Sequence, residues 1–426
     1  MNDIKSKLAI HEGNKLIKNS FTPYNSIGKE EIVAANEVLE SGVLSKFLGG
    51  NHPDFYGGKK VKEFESDCEN YFKVKHAITV NSWTSGLIAA IGALDINPGD
   101  EIIVSPWTMC ASATAILHWN AIPVFADIEK DTFCIDPESI KKNISPRTKA
   151  IMAIDIFGQS CDVHAINKIA EEYNLKVISD SAQSPGAKYD DKFAGTLSDI
   201  GGYSLNYHKH INTGEGGILV TNDDNLAERM RLIRNHAEAV VSNNKNNLTN
   251  MIGHNFRLGE IECAIGIEQL KKLDSIIRQR QEKARKLIEG LSGLKGLHLP
   301  KFREKSTHVF YILPMILDLE IINTSREKIV KALEAEGLDG VINGYTNIHL
   351  LPIYQQKIAY GKYGFPWISE FTDREINYNK GICPVAEELH DHTFLGFEIC
   401  RFQLSDKELQ LVIDVFHKVW NNLIKK

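Results

Sequence analysis

The chain has 426 residues, 43% of them hydrophobic and 24% charged, the make-up of a folded globular protein whose core needs no disulfide staples. Its 49 basic and 55 acidic side chains leave a formal charge of −6, which excludes the broad basic footprint of a nucleic-acid binder. No run of about 18 or more apolar residues occurs, so no membrane span is expected, and the opening MNDIKSKLAIHEGNKL lacks the apolar stretch of a secretory leader.

Residues 1–28 carry little periodic pattern and read as an N-terminal arm. Residues 40–60, rich in Gly, Ser and aromatics, read as a long functional loop. From residue 60 the chain alternates. VKEFESDCENYF is a helix and HAITVNS a strand; TSGLIAAIGAL is a helix and DEIIVSP a strand. CASATAILHWN, IPVFADI, DPESIKKNI, KAIMAIDIFG, DVHAINKIAEEYN and KVISDS continue the alternation. The strands are nearly continuous apolar runs, as in a parallel sheet covered by helices on both faces. GGYSLN and GGILVTND follow with no helix between them, which predicts one antiparallel edge. After residue 255 a helical pattern runs for about nine turns, either as one bridging helix or as two with a break. HVFYILPMIL then reads as a strand, REKIVKALEAEG as an amphipathic helix and KELQLVIDVFHKVW as a C-terminal helix. The expected division is an arm over 1–28, a large α/β domain over 29–270 and a smaller α+β domain over 271–426.

Seven cysteines are scattered, odd in number and without a CxxC pair, so neither a zinc site nor a disulfide framework is expected and a reducing cytoplasm is.

In open α/β sheets, ligands bind beyond the carboxyl ends of the strands. Asn81-Ser82-Trp83-Thr84-Ser85-Gly86 joins a strand to a helix. Free backbone N–H groups and the helix dipole there suit a phosphate, although the same residues also make an ordinary N-cap. Asp180 ends KVISD, where a carboxylate is desolvated unless a cation faces it. It would balance a protonated ring nitrogen, or else cap a helix. Gln183 follows one turn on and brings an amide to the same ligand. Lys209 stands five residues after Ser204, where a strand ends. A lysine at a sheet end is partly desolvated, which makes it a nucleophile toward carbonyls; the alternative is a solvated loop lysine. The order favours chemistry: a phosphate-type turn, an acid after a strand, a lysine after a later strand. His208 and His210 would share one face of an extended chain, as metal ligands do, but no acidic or cysteine partner accompanies them and no metal is expected. Gly214, Gly216 and Gly217 form neither a GxGxxG nor a P-loop and read as turn geometry.

Ten landmarks stand in register from about residue 25 onward: NSWTSGL, NPGDEIIVSPWT, PVFADI, PRTKAI, FGQ, ISDSAQSPGA, YSLNYHKHINTGEGG, GHNFRLGEIECAIGIEQLKKLD, HVFYILP and CPVAEEL. With them the chain resembles the DegT/DnrJ/StrS family of pyridoxal-phosphate-dependent sugar aminotransferases. The resemblance implies an aspartate-aminotransferase-like (type I) α/β fold, with a mostly parallel sheet in the large domain and a smaller C-terminal α+β domain. It also implies pyridoxal 5′-phosphate as cofactor. Lys209, six residues before Glu215, matches the lysine that joins the cofactor as a Schiff base. Asp180 matches the partner of the ring nitrogen, and Gln183 the amide beside the phenolic oxygen. Thr84 and Ser204 match phosphate contacts. Asn255 matches an asparagine that reaches the phosphate of the other subunit, which implies a homodimer with active sites at the interface.

The chain departs from the family pattern in two places. Trp83 stands where the family usually has glycine; backbone N–H groups can still bind phosphate there, but a side chain makes close approach harder. The residue that stacks on the cofactor ring is commonly aromatic; the aligned position is Met109, and Trp107 is its rival. A related branch with histidine in place of the lysine is a sugar 3-dehydratase, but here Lys209 holds the position. The implied reaction transfers an amino group from glutamate, or glutamine, to a nucleotide-linked keto-deoxysugar for amino-sugar and surface-glycan biosynthesis. A dehydratase using the same cofactor and a non-catalytic regulator on the same fold are the alternatives. Loop 45–60 and segment 343–367 are the expected sugar-nucleotide walls, with His349 near the substrate cleft. Tyr354, Tyr360, Tyr363 and Trp367 either stack on a base or pack internally.

Overall fold

The computed structural model describes residues 6–241 and 250–424, so residues 1–5 of the expected arm lie outside the described residues. Helices α1 (Lys29–Ser41) and α2 (Lys59–Phe72) lead into strand β1 (His76–Val80). The alternation then runs α3 (Trp83–Ala93), β2 (Glu101–Val104), α4 (Ala111–His118), β3 (Ile122–Phe125), α5 (Pro137–Asn143), β4 (Thr148–Ile154), α6 (Val163–Tyr173) and β5 (Lys176–Asp180). A short hairpin, β6 (Lys188–Tyr189) and β7 (Lys192–Phe193), precedes β8 (Ile200–Ser204), β9 (Gly217–Thr221) and α7 (Asp224–Arg234).

Seven of these strands form one sheet in the order β1-β9-β8-β5-β4-β2-β3. The pairs β5–β8, β4–β5, β2–β4 and β2–β3 are parallel. Strands β2, β3, β8 and β9 are buried along their whole length, which explains why they read as unbroken apolar runs. The antiparallel strand is not at the edge, as the sequence suggested. Strand β9 lies between β8 and β1 and is antiparallel to both. The loop between β8 and β9 contains no crossover helix, so β9 has to return antiparallel. Strand β1, buried from Ala77 to Val80, then covers its outer side.

Helix α8 (Glu260–Leu291) is one unbroken element of 32 residues, not two. At 1.5 Å per residue it is about 48 Å long and serves two cores. Its first half places Cys263, Ile267 and Leu270 with Phe64 of α2 and Ile218 of β9. Its second half places Ala284, Leu287 and Leu291 in another core, shared with α13.

That second core is built on β10 (Leu297–His298), β11 (Leu313–Leu317), α9 (Leu319–Ile322), α10 (Arg326–Ala335), β12 (Val341–Ile342), β13 (Phe394–Phe397) and α13 (Asp406–Leu423), while α11 (Pro352–Gln355) and α12 (Pro384–Glu388), between β12 and β13, pack on the core of the large sheet. Its four strands form an antiparallel sheet in the order β10-β11-β13-β12. Leu8, Ile17 and Phe21 of the N-terminal lead are buried there. Ile348, Tyr354, Trp367 and Tyr378 instead join the core of the large sheet. The expected strand over HVFYILPMIL shortens to β11. Its first half leaves the sheet because the backbone N–H groups of Val309 and Tyr311 donate to the carbonyls of Gly158 and Phe157. Among the described residues no helix is long and apolar enough to cross a membrane.

Candidate active site

Strand β5 ends at Asp180, which pairs in register with Gly202 of β8. Its carboxylate is 4% exposed and takes three donors. Trp83 Nε1–H donates to Oδ1 at 2.7 Å, Ser112 Oγ–H to Oδ2 at 2.8 Å and the Ala182 backbone N–H to Oδ1 at 3.2 Å. Burial pushes the carboxyl pKa up, while Ser112, Trp83, Ala182 and the charge of Lys209 pull against it. Asp155 lies behind, accepting from Ser181 Oγ and the Cys161 backbone N–H; burial raises its pKa to about 6.

The loop after β8 holds Lys209 by its own backbone. Lys209 N–H donates to the Asn206 carbonyl at 2.9 Å, and Leu205 and Thr213 close the loop on each other. The lysine is 8% exposed. Among the described residues it makes no ion pair, and Nζ lies 4.3 Å from the centre of the Tyr311 ring. Burial lowers its pKa from the ordinary 10.5 to about 8, with Cys400 and Asp180 opposing. A buried amine that sheds its proton near neutrality is suited to attack a carbonyl carbon. The flanking histidines do not share a face, because 207–211 turns and bends instead of running extended. His208 is exposed, while His210 is fully buried with Nε2 2.8 Å from the Val309 carbonyl oxygen.

Beside this loop, α3 begins. Ser82 caps it, with Oγ accepting from the Ser85 backbone N–H at 3.1 Å, and Ser85 Oγ–H donates to Asn81 Oδ1 at 2.7 Å. Thr84 is exposed in the first turn. Ser204 pairs in register with Gly217, where an added Cβ would meet Trp83 N and Cα at 2.9 Å. The bare backbone of β9 therefore sits against the helix start, which brings Thr84 and Ser204 to the same end of the cleft.

Gln183 is held at both ends of its amide. Oε1 accepts from the Phe157 backbone N–H at 2.8 Å, and Nε2–H donates to Tyr345 Oη at 3.1 Å. Burial raises the Tyr345 pKa to about 12, so this hydroxyl is neutral. Trp107 and Met109 part company. Trp107 is fully buried, stacked on Phe133 with its Nε1–H donated to Asn347 Oδ1 at 2.8 Å. Met109, two residues before α4, is 58% exposed. Asn255 is also exposed, its Oδ1 accepting from Arg257 Nε–H at 2.7 Å and its carbonyl from Asn81.

His349 does not line an open cleft. It is fully buried, with Nε2 2.9 Å from Glu387 Oε1. Tyr354 and Trp367 are buried as well, and Trp367 Nε1–H donates to Tyr378 Oη at 2.7 Å, so these two pack internally. Tyr360 and Tyr363 remain exposed. The sequence reading missed Ser112, Tyr311, Tyr345 and the indole of Trp83. Ser112 carried a faint signal, one helical turn after Thr108 at the start of a helix. The other three owe their places to long-range packing.

The chain is similar in sequence and fold to known aminotransferases. The sequence model of the DegT/DnrJ/EryC1/StrS aminotransferase family matches residues 25–383. The spore coat polysaccharide biosynthesis protein SpsC of Bacillus subtilis is 32% identical over 84% of this chain and 92% of its own. GDP-perosamine synthase of Caulobacter vibrioides is 36% identical over 70% of this chain and 79% of its own. The crystal structure of an aminotransferase from Psychrobacter cryohalolentis, 26% identical, superposes with a TM-score of 0.81 over 95% of this chain and 100% of that one.

Proposed function

Because the chain belongs to the DegT/DnrJ/EryC1/StrS aminotransferase family, we propose that its cleft transfers an amino group from glutamate or glutamine to a nucleotide-linked keto-deoxysugar. The observation that carries this reading is a buried, unpaired amine, Lys209, near a buried carboxylate, Asp180, at the carboxyl end of one sheet. The relatives make the sugar class the natural one: one is a GDP-perosamine synthase and another serves spore coat polysaccharide biosynthesis.

The residues fit pyridoxal 5′-phosphate. Lys209 would hold its aldehyde carbon through the amine, Asp180 would match the charge of its ring nitrogen, and the Trp83–Thr84 backbone with the Thr84 and Ser204 hydroxyls would hold its phosphate. Met109, exposed where Trp107 is locked away, covers the ring face. When bound, the cofactor supplies an electron sink for the carbanion at the donor α-carbon. Lys209 then works as a base and an acid. With the cofactor held there, Lys209 Nζ would be placed to take the proton from the donor α-carbon as a base and to give it up again as an acid. Lys209 Nζ would serve the same base and acid roles when nitrogen is placed on the sugar. Gln183, clamped by Phe157 and Tyr345, would have one amide hydrogen left for the cofactor's phenolic oxygen.

The protein acts as a homodimer in this reading. Helix α1 and the loop after it leave Ile32, Val33, Leu39, Val43, Leu44 and Leu48 exposed, an apolar surface that a second copy would cover. Asn255, exposed on its own chain, would reach the phosphate of that copy. All seven cysteines are free, which suits a reducing cytoplasm.

Borohydride reduction of the holoenzyme followed by peptide mapping tests the reading. The label is expected on Lys209. A label on another lysine, or amination of no keto-sugar when glutamate or glutamine is supplied, would refute it.

A further inference from the structure

The side chain of Trp83 has work that the phosphate contact does not explain. From the first residue of α3 it descends into a slot kept open by glycine. A Cβ on Gly202 would lie 2.2 Å from Trp83 Cζ3, and one on Gly86 2.7 Å from Cε3. The indole is 6% exposed, and its only polar atom, Nε1, ends 2.7 Å from Asp180 Oδ1. An indole N–H donates and never accepts, so Oδ1 has to remain an acceptor. On the other oxygen, Ser112 uses its one hydroxyl hydrogen at 2.8 Å, which leaves its own oxygen to accept from Thr108 at 2.9 Å. A carboxylate offers about four acceptor positions. Trp83, Ala182 and Ser112 occupy three of them.

We propose that Trp83 is a positioning residue for the cofactor ring. Its indole N–H sets the plane of the Asp180 carboxylate and, because it can only donate, keeps the proton shared by Asp180 and the ring nitrogen on the ring. The proposal rests on the reading that Asp180 faces that nitrogen. Three ionisable groups face Asp180 from neighbouring elements: Lys209 from the loop after β8, Asp155 from the end of β4 and Tyr345 from the segment after β12. None of the three donates to either carboxylate oxygen; the hydrogen bonds come from Trp83, Ser112 and Ala182.

The test uses the holoenzyme with two replacements at one position. Trp83→Phe removes the N–H and part of the ring. Incorporation of β-(3-benzothienyl)alanine at 83 puts sulfur in place of the N–H and keeps the bicyclic shape. Asp180→Asn is the control for the underlying reading. Both replacements at 83 are expected to fold, by far-UV circular dichroism. Loss of a charge-assisted bond is expected to speed cofactor release on dialysis about tenfold. The pH midpoint of the visible cofactor band is expected to rise by about one unit, because a ring with less positive charge holds its neighbouring proton more tightly. The kcat is expected to fall about tenfold while the donor KM stays within about twofold. If the benzothienyl protein matches the parent in band and retention, Trp83 acts by packing alone and the proposal is overturned, whatever Trp83→Phe does. If Asp180→Asn moves both readouts and neither replacement at 83 does, the proposal alone falls. If Asp180→Asn moves neither, the reading of Asp180 falls and takes the proposal with it.

Discussion

Among the described residues two lysines are buried, and they meet opposite surroundings. Lys418, on α13, is fully buried, and its Nζ donates to Glu336 Oε2 at 2.9 Å and to the Asn14 carbonyl at 2.8 Å. Glu336 also accepts from the backbone N–H groups of Ala9 at 2.8 Å and Leu16 at 3.2 Å. That charge is matched, and it ties the N-terminal lead to the second core. Lys209 is buried almost as deeply and has an aromatic face where Lys418 has a carboxylate. Burial therefore does not make a lysine a nucleophile. Burial without a counter-ion does, because the desolvation that disfavours the ammonium is then barely opposed.

Exchanging the fates of the two lysines gives the largest expected effect. Lys209→Ala should lower transamination by about 10³-fold with little change in urea midpoint. Lys418→Met should do the reverse. It leaves Glu336 buried and unpaired, which costs about 3–5 kcal/mol of stability in a urea titration, while borohydride still labels Lys209. A Lys418→Met protein of unchanged stability would break the contrast.

A pH series sharpens it. Only the neutral amine attacks a carbonyl, and the folded-state pKa of Lys209 is depressed, so its reactivity is gained as pH rises through that lowered value. The rate at which apoprotein captures pyridoxal 5′-phosphate at Lys209, read by mass spectrometry of the reduced peptide, should rise with a midpoint at about 8. A midpoint near that of an ordinary lysine, about 10.4, would show that burial has not shifted this amine. The smallest effect is expected at the rim. Met109→Ala should weaken cofactor retention by about 1 kcal/mol or less, the scale of a sulfur–ring contact. A much larger loss would mean that Met109 also holds the cleft in shape.

Much of the site was legible before any packing was known. Asp180 and Ser204 each end an apolar run, Lys209 precedes a glycine-rich return, and Thr84 follows a strand at a helix start. These are local facts, because strand and helix periods are properties of neighbouring residues. The sequence also pointed to a parallel sheet with one reversed strand, but it misjudged where that strand sits. Strand β9 is interior because β1, from far earlier in the chain, adds outside it, and local pattern carries no information on such an insertion. His349 followed the family landmark yet lies buried against Glu387, a partner supplied by a different segment. Trp107 was a fair rival to Met109 until Asn347 and Phe133 closed over it.

The groups that carry the proposed chemistry, then, were written in residue order: an amine, an acid and a serine-capped helix start, each placed at the end of an element that its own neighbours specify. The state of those groups was not. Lys209 is poised because Tyr311, over a hundred residues later, offers its ring where a carboxylate would have quenched it. Asp180 is oriented because Gly202 in β8 vacates space for an indole that starts on α3. Protonation and orientation depend on what is near in space, and proximity between distant segments exists only once the chain has folded.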